Sequence, residues 1–398
     1  MPNTKPPFCH SHVLPIALLW LTSTCVLSAE TDPPTATESE LAKASYTEEK
    51  KLEDLPSAFI DTNPNVEDGI AVGTLGIDGG QVDPMLQFAN EIATGTYGDV
   101  DSLLISYRGK LLFESYFRRG RANYPHYQMS ITKSYTALAI GRAIQCGYLT
   151  MDDLNRPVYE FLKELDPSRF AKGATTITLA DVMTMRSGIR IPQKIQQQIR
   201  SDTAKNQGQY QVQMFFERTA PIPPAPREFK YQGIDPAITM QVLEAVVPGS
   251  ADTFLKNELL EKLKITQFHW PDDISGLPKS AAGSSMRSRD MVKWGLLVRQ
   301  HGQFNGEQLI PPEFLKRATS PLCAPSDTNS YGFFFWQSVA EVGQTKIECV
   351  TCRGAGGQFI FFFPKVDVIA VVTSHNKGMG PLLKTLPSRV LPAFQQDQ

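Results

Sequence analysis

The sequence predicts an α+β fold: an antiparallel β-sheet flanked by helices, with a mostly helical region of about residues 149–280 inserted into it. Three observations point there. Two β-rich runs meet at a tight turn early in the chain, and a long middle stretch has helical and loop character. Aromatic and β-branched runs return near the C-terminus. Strands first, helices between and strands last build one sheet from both chain ends.

The early pair is Ser102–Tyr107 and Lys110–Tyr116, flanking Arg108-Gly109. Two β-rich runs joined by two residues ending in Gly predict a hairpin. Ser130–Cys146 follows, with Tyr135, Leu138, Ala139, Ala143 and Ile144 at helical spacing and Gly147 as its stop. Leu149–Trp270 reads as helices and long loops, including the proline-rich Pro221–Pro226. Ser288–His301 predicts a helix with Met291, Trp294, Leu297 and Val298 on one face. Tyr331–Val339, Phe359–Phe363 and Val368–Thr373 predict strands, with Asp367 in the turn before the last.

The ends divide the chain further. Lys5, His10 and His12 precede an apolar run, Val13–Leu27, and then Ser28-Ala29. That layout predicts a secretory signal over residues 1–29, hence a periplasmic or secreted protein. A membrane would be a partner only if the segment stayed uncleaved. Residues 30–56, rich in Thr, Pro, Glu and Lys, read as a solvated linker with a short helix around Glu38–Lys51. Residues 57–398 form the expected catalytic domain. The 398-residue chain has a net charge of −2, which gives no reason to expect nucleic acid as a partner. Cys146, Cys323, Cys349 and Cys352 remain after the signal. An oxidising compartment would permit disulfides, but Cys349-x-x-Cys352 sits in a strand-like context and reads as a structural pair or as buried thiols.

The chemistry-bearing segment is Ser130-Ile131-Thr132-Lys133. A serine hydroxyl is a poor nucleophile until a base takes its proton. Positions i and i+3 share a helix face, so Ser130 and Lys133 meet if Ser130 opens the helix. Burial would lower the lysine pKa enough for it to act as base. The free N–H groups of a helix start can also hold an oxyanion. The competing reading is an N-capping serine followed by a surface lysine. No G-x-S-x-G elbow and no metal-ligand spacing is present, so a triad of that kind and a metal or cofactor are not expected. His126 and His375 read as structural histidines.

The motifs occur in a recognisable order. Ser130–Lys133 is followed by Leu149–Asp153, Met183–Ile189, Tyr231-Gln232-Gly233, Ser288-Arg289-Asp290 and Gly354–Gln358. With these the chain resembles the serine β-lactamase and penicillin-binding-protein superfamily from about Asp101 onward, and within it the class C-like esterases and 6-aminohexanoate-dimer hydrolase relatives. The resemblance implies the β-lactamase/transpeptidase-like fold. It implies Tyr231 as a proton relay, standing in the family's Tyr-x-Asn motif, with Gly233 in place of the Asn. It implies the Ala355 N–H as second oxyanion donor. Where the family has Lys-Thr-Gly on an inner strand, the stretch Cys349–Gln358 contains no such triplet; its Gly354 and Gly356 allow close approach of substrate, and Arg353 is the candidate to replace the lost cation. The expected activity is hydrolysis of a small ester, amide or peptide through an acyl-enzyme on Ser130. The alternative is an acyl-trapping, non-catalytic sensor on the same scaffold.

Overall fold

The computed structural model describes residues 2–4, 32–61, 68–202 and 206–395. The predicted signal segment lies outside the described residues apart from 2–4. Residues 33–398 form one compact unit. Among the described residues no helix is long and apolar enough to cross a membrane.

That unit begins with an arm carrying two short helices, α1 (Glu38–Ala42) and α2 (Tyr46–Glu49). Thr37 and Ser45 cap them through their side-chain oxygens. The solvated linker expected here is instead docked. Ala36 and Leu52 pack with buried Tyr124, and Leu55 N–H donates to the Arg118 carbonyl at 2.6 Å. A segment of polar composition is held because Ala36, Leu52 and one carboxylate, Glu49, are turned inward.

The sheet is then laid down from both ends. Strand β1 (Phe59–Asp61) precedes α3 (Val82–Ala93), β2 (Val100–Tyr107) and β3 (Lys110–Tyr116). Arg108 and Gly109 both have positive φ, as a two-residue hairpin turn requires. The short strand β4 (His126–Tyr127) leads into α4 (Ile131–Gln145), which Gly147 ends at φ 81°. The inserted region holds α5 (Leu179–Met183), α6 (Gln193–Ser201), α7 (Tyr210–Arg218), α8 (Ile234–Val246) and α9 (Ala251–Leu255). Strands β5 (Phe268–His269) and β6 (Ser285–Met286) pair with each other and, through β6, with β4. Helix α10 (Ser288–Arg299), the small hairpin β7 (Gln303–Phe304) and β8 (Glu307–Gln308), and α11 (Pro312–Ala318) follow. The chain closes with β9 (Cys323–Ser326), β10 (Asn329–Tyr331), β11 (Trp336–Val342), β12 (Thr345–Gly354), β13 (Gln358–Phe363), β14 (Val368–Ser374) and α12 (Leu382–Val390).

The main sheet has nine strands in the order β1-β3-β2-β14-β13-β12-β11-β10-β9, all antiparallel. Its two faces are both covered, which explains the unbroken apolar run of β13. Ile360 and Phe362 join the core that holds α4, α8 and α10, whereas Phe359, Phe361 and Phe363 join the core that holds α3 and α12. The same two-residue period separates the cysteine pair. Cys349 faces the α3/α12 side and Cys352 the α4 side, so they cannot bridge each other. All four described cysteines are free thiols.

One strand is interrupted. The run Tyr331–Val339 is not a single strand: β10 ends at Tyr331 and β11 begins at Trp336. Gly332 presses on the Ala318 carbonyl, where a Cβ would stand 2.0 Å away. Phe334 turns to φ 59°, and its N–H donates to the Met183 carbonyl at 3.0 Å. The aromatic rings here are buried by a turn rather than by strand alternation.

Candidate active site

The turn that carries Ser130 is built by β4. His126 and Tyr127 pair with Met286 and Ser285, and the Gln128 N–H donates to the Ser284 carbonyl at 2.9 Å. Met129 then takes φ 50°, a left-handed conformation that a non-glycine residue adopts at some cost. This bend delivers Ser130 to the start of α4, with φ −74° and ψ −2°. The Ser130 hydroxyl makes no capping bond, so it is not an N-capping serine.

Lys133 is one helical turn on and only 4% exposed, so it is not a surface lysine. Its Nζ donates to Ser130 Oγ at 2.9 Å and to the Ala281 carbonyl at 2.6 Å. Burial disfavours the charged amine and lowers its pKa to about 8. The intervening Thr132 fixes the loop that carries Ala281. Its Oγ1 donates to the Met129 carbonyl at 2.7 Å and accepts from the N–H groups of Gly283 and Ser284. Neither Thr132 nor Ala281 stood out in the sequence. Small residues so far apart in the sequence carry no pattern that would have paired them.

Tyr231 comes from the inserted region. The Lys133 ammonium nitrogen lies 4.7 Å from its ring centroid. Burial raises the phenol pKa, and interaction with Ser130 pulls the other way, so the hydroxyl is protonated near neutrality. Tyr331 and Trp336 brace the ring at 6.4 and 5.6 Å. The Met183–Ile189 motif holds this loop in place: the Lys230 N–H donates to the Met185 carbonyl at 2.9 Å, and Ser187 Oγ donates to Asp235 Oδ1 at 2.7 Å. Gly233 opens α8 at an ordinary φ of −88°. A Cβ there would stand 3.5 Å from Ala281, so a side chain fits, and its absence widens a cavity of about 310 Å³ between α7, α8 and Ala281.

The end of β12 completes the centre. Gly354 lies against the Ser130 turn: a Cβ would meet the Gln128 carbonyl at 2.4 Å and Met129 at 3.1 Å. Ala355 follows in the turn to β13 and is exposed. Neither the Ser130 nor the Ala355 N–H donates to an acceptor among the described residues. Two amides on adjacent segments are thus left free of backbone acceptors. Gly356, at φ 89°, uses its own N–H on the Gly378 carbonyl at 2.6 Å, and so shapes the turn rather than offering an amide. Arg353 is engaged by Thr351, Asn329 and Ser338 and lies over the Trp336 ring. His126 and His375 are both paired with carboxylates, Glu49 and Asp101, and neither has a contact to Ser130 or Lys133. Among the described residues no group of His, Cys, Asp and Glu could hold a metal ion.

A sheet framed by helices, with a serine, a buried lysine and a tyrosine where the insertion meets the sheet, defines a serine hydrolase of the β-lactamase and penicillin-binding-protein kind. Residues 97–392 match the Beta-lactamase family, and the chain belongs to it. Similar solved structures include a protein described as a 6-aminohexanoate-dimer hydrolase from Bacillus anthracis. It is 16% identical, with a TM-score of 0.61 over 86% of this chain and 93% of that one. A class C β-lactamase is 14% identical, with a TM-score of 0.62 over 79% and 96%. A D-stereospecific amidohydrolase from Streptomyces sp. is 15% identical, with a TM-score of 0.54 over 76% and 98%. An uncharacterized protein of Alkalihalophilus pseudofirmus is 21% identical over 63% of this chain and 73% of its own length.

Proposed function

We propose that the protein cleaves an ester or amide through an acyl-enzyme on Ser130. The observation that carries this is the 2.9 Å contact between Ser130 Oγ and the buried amine of Lys133. Neutral Lys133 takes the Ser130 proton as Oγ attacks the substrate carbonyl. The Ser130 and Ala355 amides hold the oxyanion. Lys133 and the Tyr231 phenol pass the proton to the leaving group, and water then releases the acyl group from Ser130. Loss of the family's Lys-Thr pair from the stretch Cys349–Gln358, with Arg353 already engaged, favours esters and linear amides over β-lactams.

The test is turnover of 4-nitrophenyl butyrate. Ser130→Ala is expected to abolish it, and Lys133→Ala to lower it by about 10²-fold or more. Unchanged hydrolysis by the Ser130 variant would sink the mechanism. A stoichiometric burst of 4-nitrophenol followed by no turnover would instead identify an acyl-trapping protein.

A further inference from the structure

Beside the oxyanion amides lies a second cavity, of about 540 Å³. Met129 and Ala355, at the two donor segments, form its inner lip. The docked arm supplies one wall through Tyr46, Glu49 and Lys50, and the segment after β14 supplies another through His375–Gly378. The arm lies before residue 97, where the family match begins.

The wall is fixed rather than loosely apposed. Glu49 is 2% exposed; its carboxylate lies 2.7 Å from His126 Nδ1 and accepts the Tyr127 N–H at 2.9 Å. The Tyr46 ring packs on Tyr127 at 4.7 Å.

The charges lining the cavity are unequally engaged. Its two carboxylates are already paired, Glu49 with His126 and Asp99 with Arg118 at 3.0 Å. Its cations lack a close carboxylate. Lys50 and Lys377 have no carboxylate partner among the described residues, and Lys50 Nζ rests over the Tyr46 ring, 3.8 Å from its centroid. The Arg119 backbone N–H donates to Asp101 Oδ1 at 3.2 Å, but its side-chain Nε is buried without a hydrogen-bond acceptor, with Asp54 Oδ1 4.0 Å away. A buried guanidinium donor with no partner is costly unless something supplies one. Burial works against a charged His375, but Asp101 and Glu49 outweigh it and raise its pKa.

We propose that this cavity binds a carboxylate carried on the acyl part of the substrate, so that the preferred substrate is a monoester or monoamide of a dicarboxylic acid. The placement rests on the acyl-enzyme reading above. Lys133 and Tyr231 deliver the proton to the leaving group, and neither lines this cavity. The acyl chain is therefore the part directed past Met129 and Ala355 towards Arg119, Lys50 and Lys377.

The experiment compares full-length enzyme on 4-nitrophenyl pentanoate and on the 4-nitrophenyl monoesters of succinic, glutaric, adipic and suberic acids. At low salt, at least one acidic ester is expected to show about tenfold or more higher kcat/KM than pentanoate, mainly through KM. The advantage should shrink as sodium chloride rises to about 0.5 M, because exposed Lys50 and Lys377 are screened. Arg119→Gln should reduce the ratio of acidic to neutral ester to about threefold or less. Lys377→Glu, an exposed substitution that leaves the core untouched, should lower the same ratio. A neutral ester preferred at every chain length, or a ratio untouched by both variants, overturns the proposal. So does an advantage shown only by 4-(pentanoyloxy)benzoate, which carries its carboxylate on the leaving group. These outcomes differ from failure of the catalytic reading, in which no ester turns over or Ser130→Ala retains activity.

Discussion

At the scale of single residues, the role proposed for Lys133 predicts a working pH. A general base has to be neutral, and burial lowers the Lys133 pKa to about 8. We expect kcat/KM for a neutral ester to rise tenfold per pH unit below pH 8 and level off above it. Lys133→Arg, which stays charged, should lie flat and low across the same range. Asp235 shows the opposite shift. Burial raises its pKa to about 7, against the hydrogen bonds from Ser187 and Gln232. The folded state therefore holds a proton that the unfolded state releases near pH 4. Stability should fall as pH rises from about 4 to 7, and Asp235→Asn should remove that slope in denaturant titrations at several pH values. Ser130, Lys133 and Tyr231 were legible in the sequence because each is a chemically distinctive residue in an ordered motif. Asp235 was not, since an acidic residue near a helix start is ordinary and only tertiary burial makes it unusual.

At the scale of elements, the centre depends on where backbone segments touch. Gly354 has no room for a methyl group: its Cβ would meet the Gln128 carbonyl at 2.4 Å. Gly354→Ala should force β12 away from the Ser130 turn, costing about 1–3 kcal/mol of stability and a larger share of activity. Fluorophosphonate labelling of Ser130 would separate the two effects. A variant that labels as fast as wild type would show that the contact does not position Ala355. The hairpin β2–β3, helix α4 and strands β13 and β14 were legible because their periodicity is unbroken. The break between β10 and β11 was not. An aromatic run of Tyr331–Trp336 satisfies strand propensity locally, and only the packing of Gly332 against α11 and of Phe334 against α5 shows the turn. The docking of α2 was hidden for a similar reason: one buried carboxylate holds it, within a polar composition.

At the scale of the whole molecule, α10 is tied to β3 and to the segment before α3 through buried charge. Arg289 is 4% exposed and pairs with Asp68 at 2.9 Å and Glu114 at 2.6 Å. Arg289→Ala would leave two carboxylates without a cation, and we expect a loss of about 3–5 kcal/mol in chemical denaturation. The Ser288-Arg289-Asp290 motif was legible as a marker of the family, but its structural role came only from the partners Asp68 and Glu114, far away in sequence.

The middle of the sheet joins β2 to β14, pairing Val368 with Tyr107 and Thr373 with Ser102. Ser130 is made early, yet the strand beside it and the Ala355 amide come from the last quarter of the chain. During synthesis Ser130 and Lys133 leave the ribosome together, well before Tyr231 and the Ala355 amide exist beside them. Contacts of such sequence separation form late and slowly. A growing or prematurely ended chain therefore carries the serine but no working centre, and completion of the polypeptide is what switches the chemistry on.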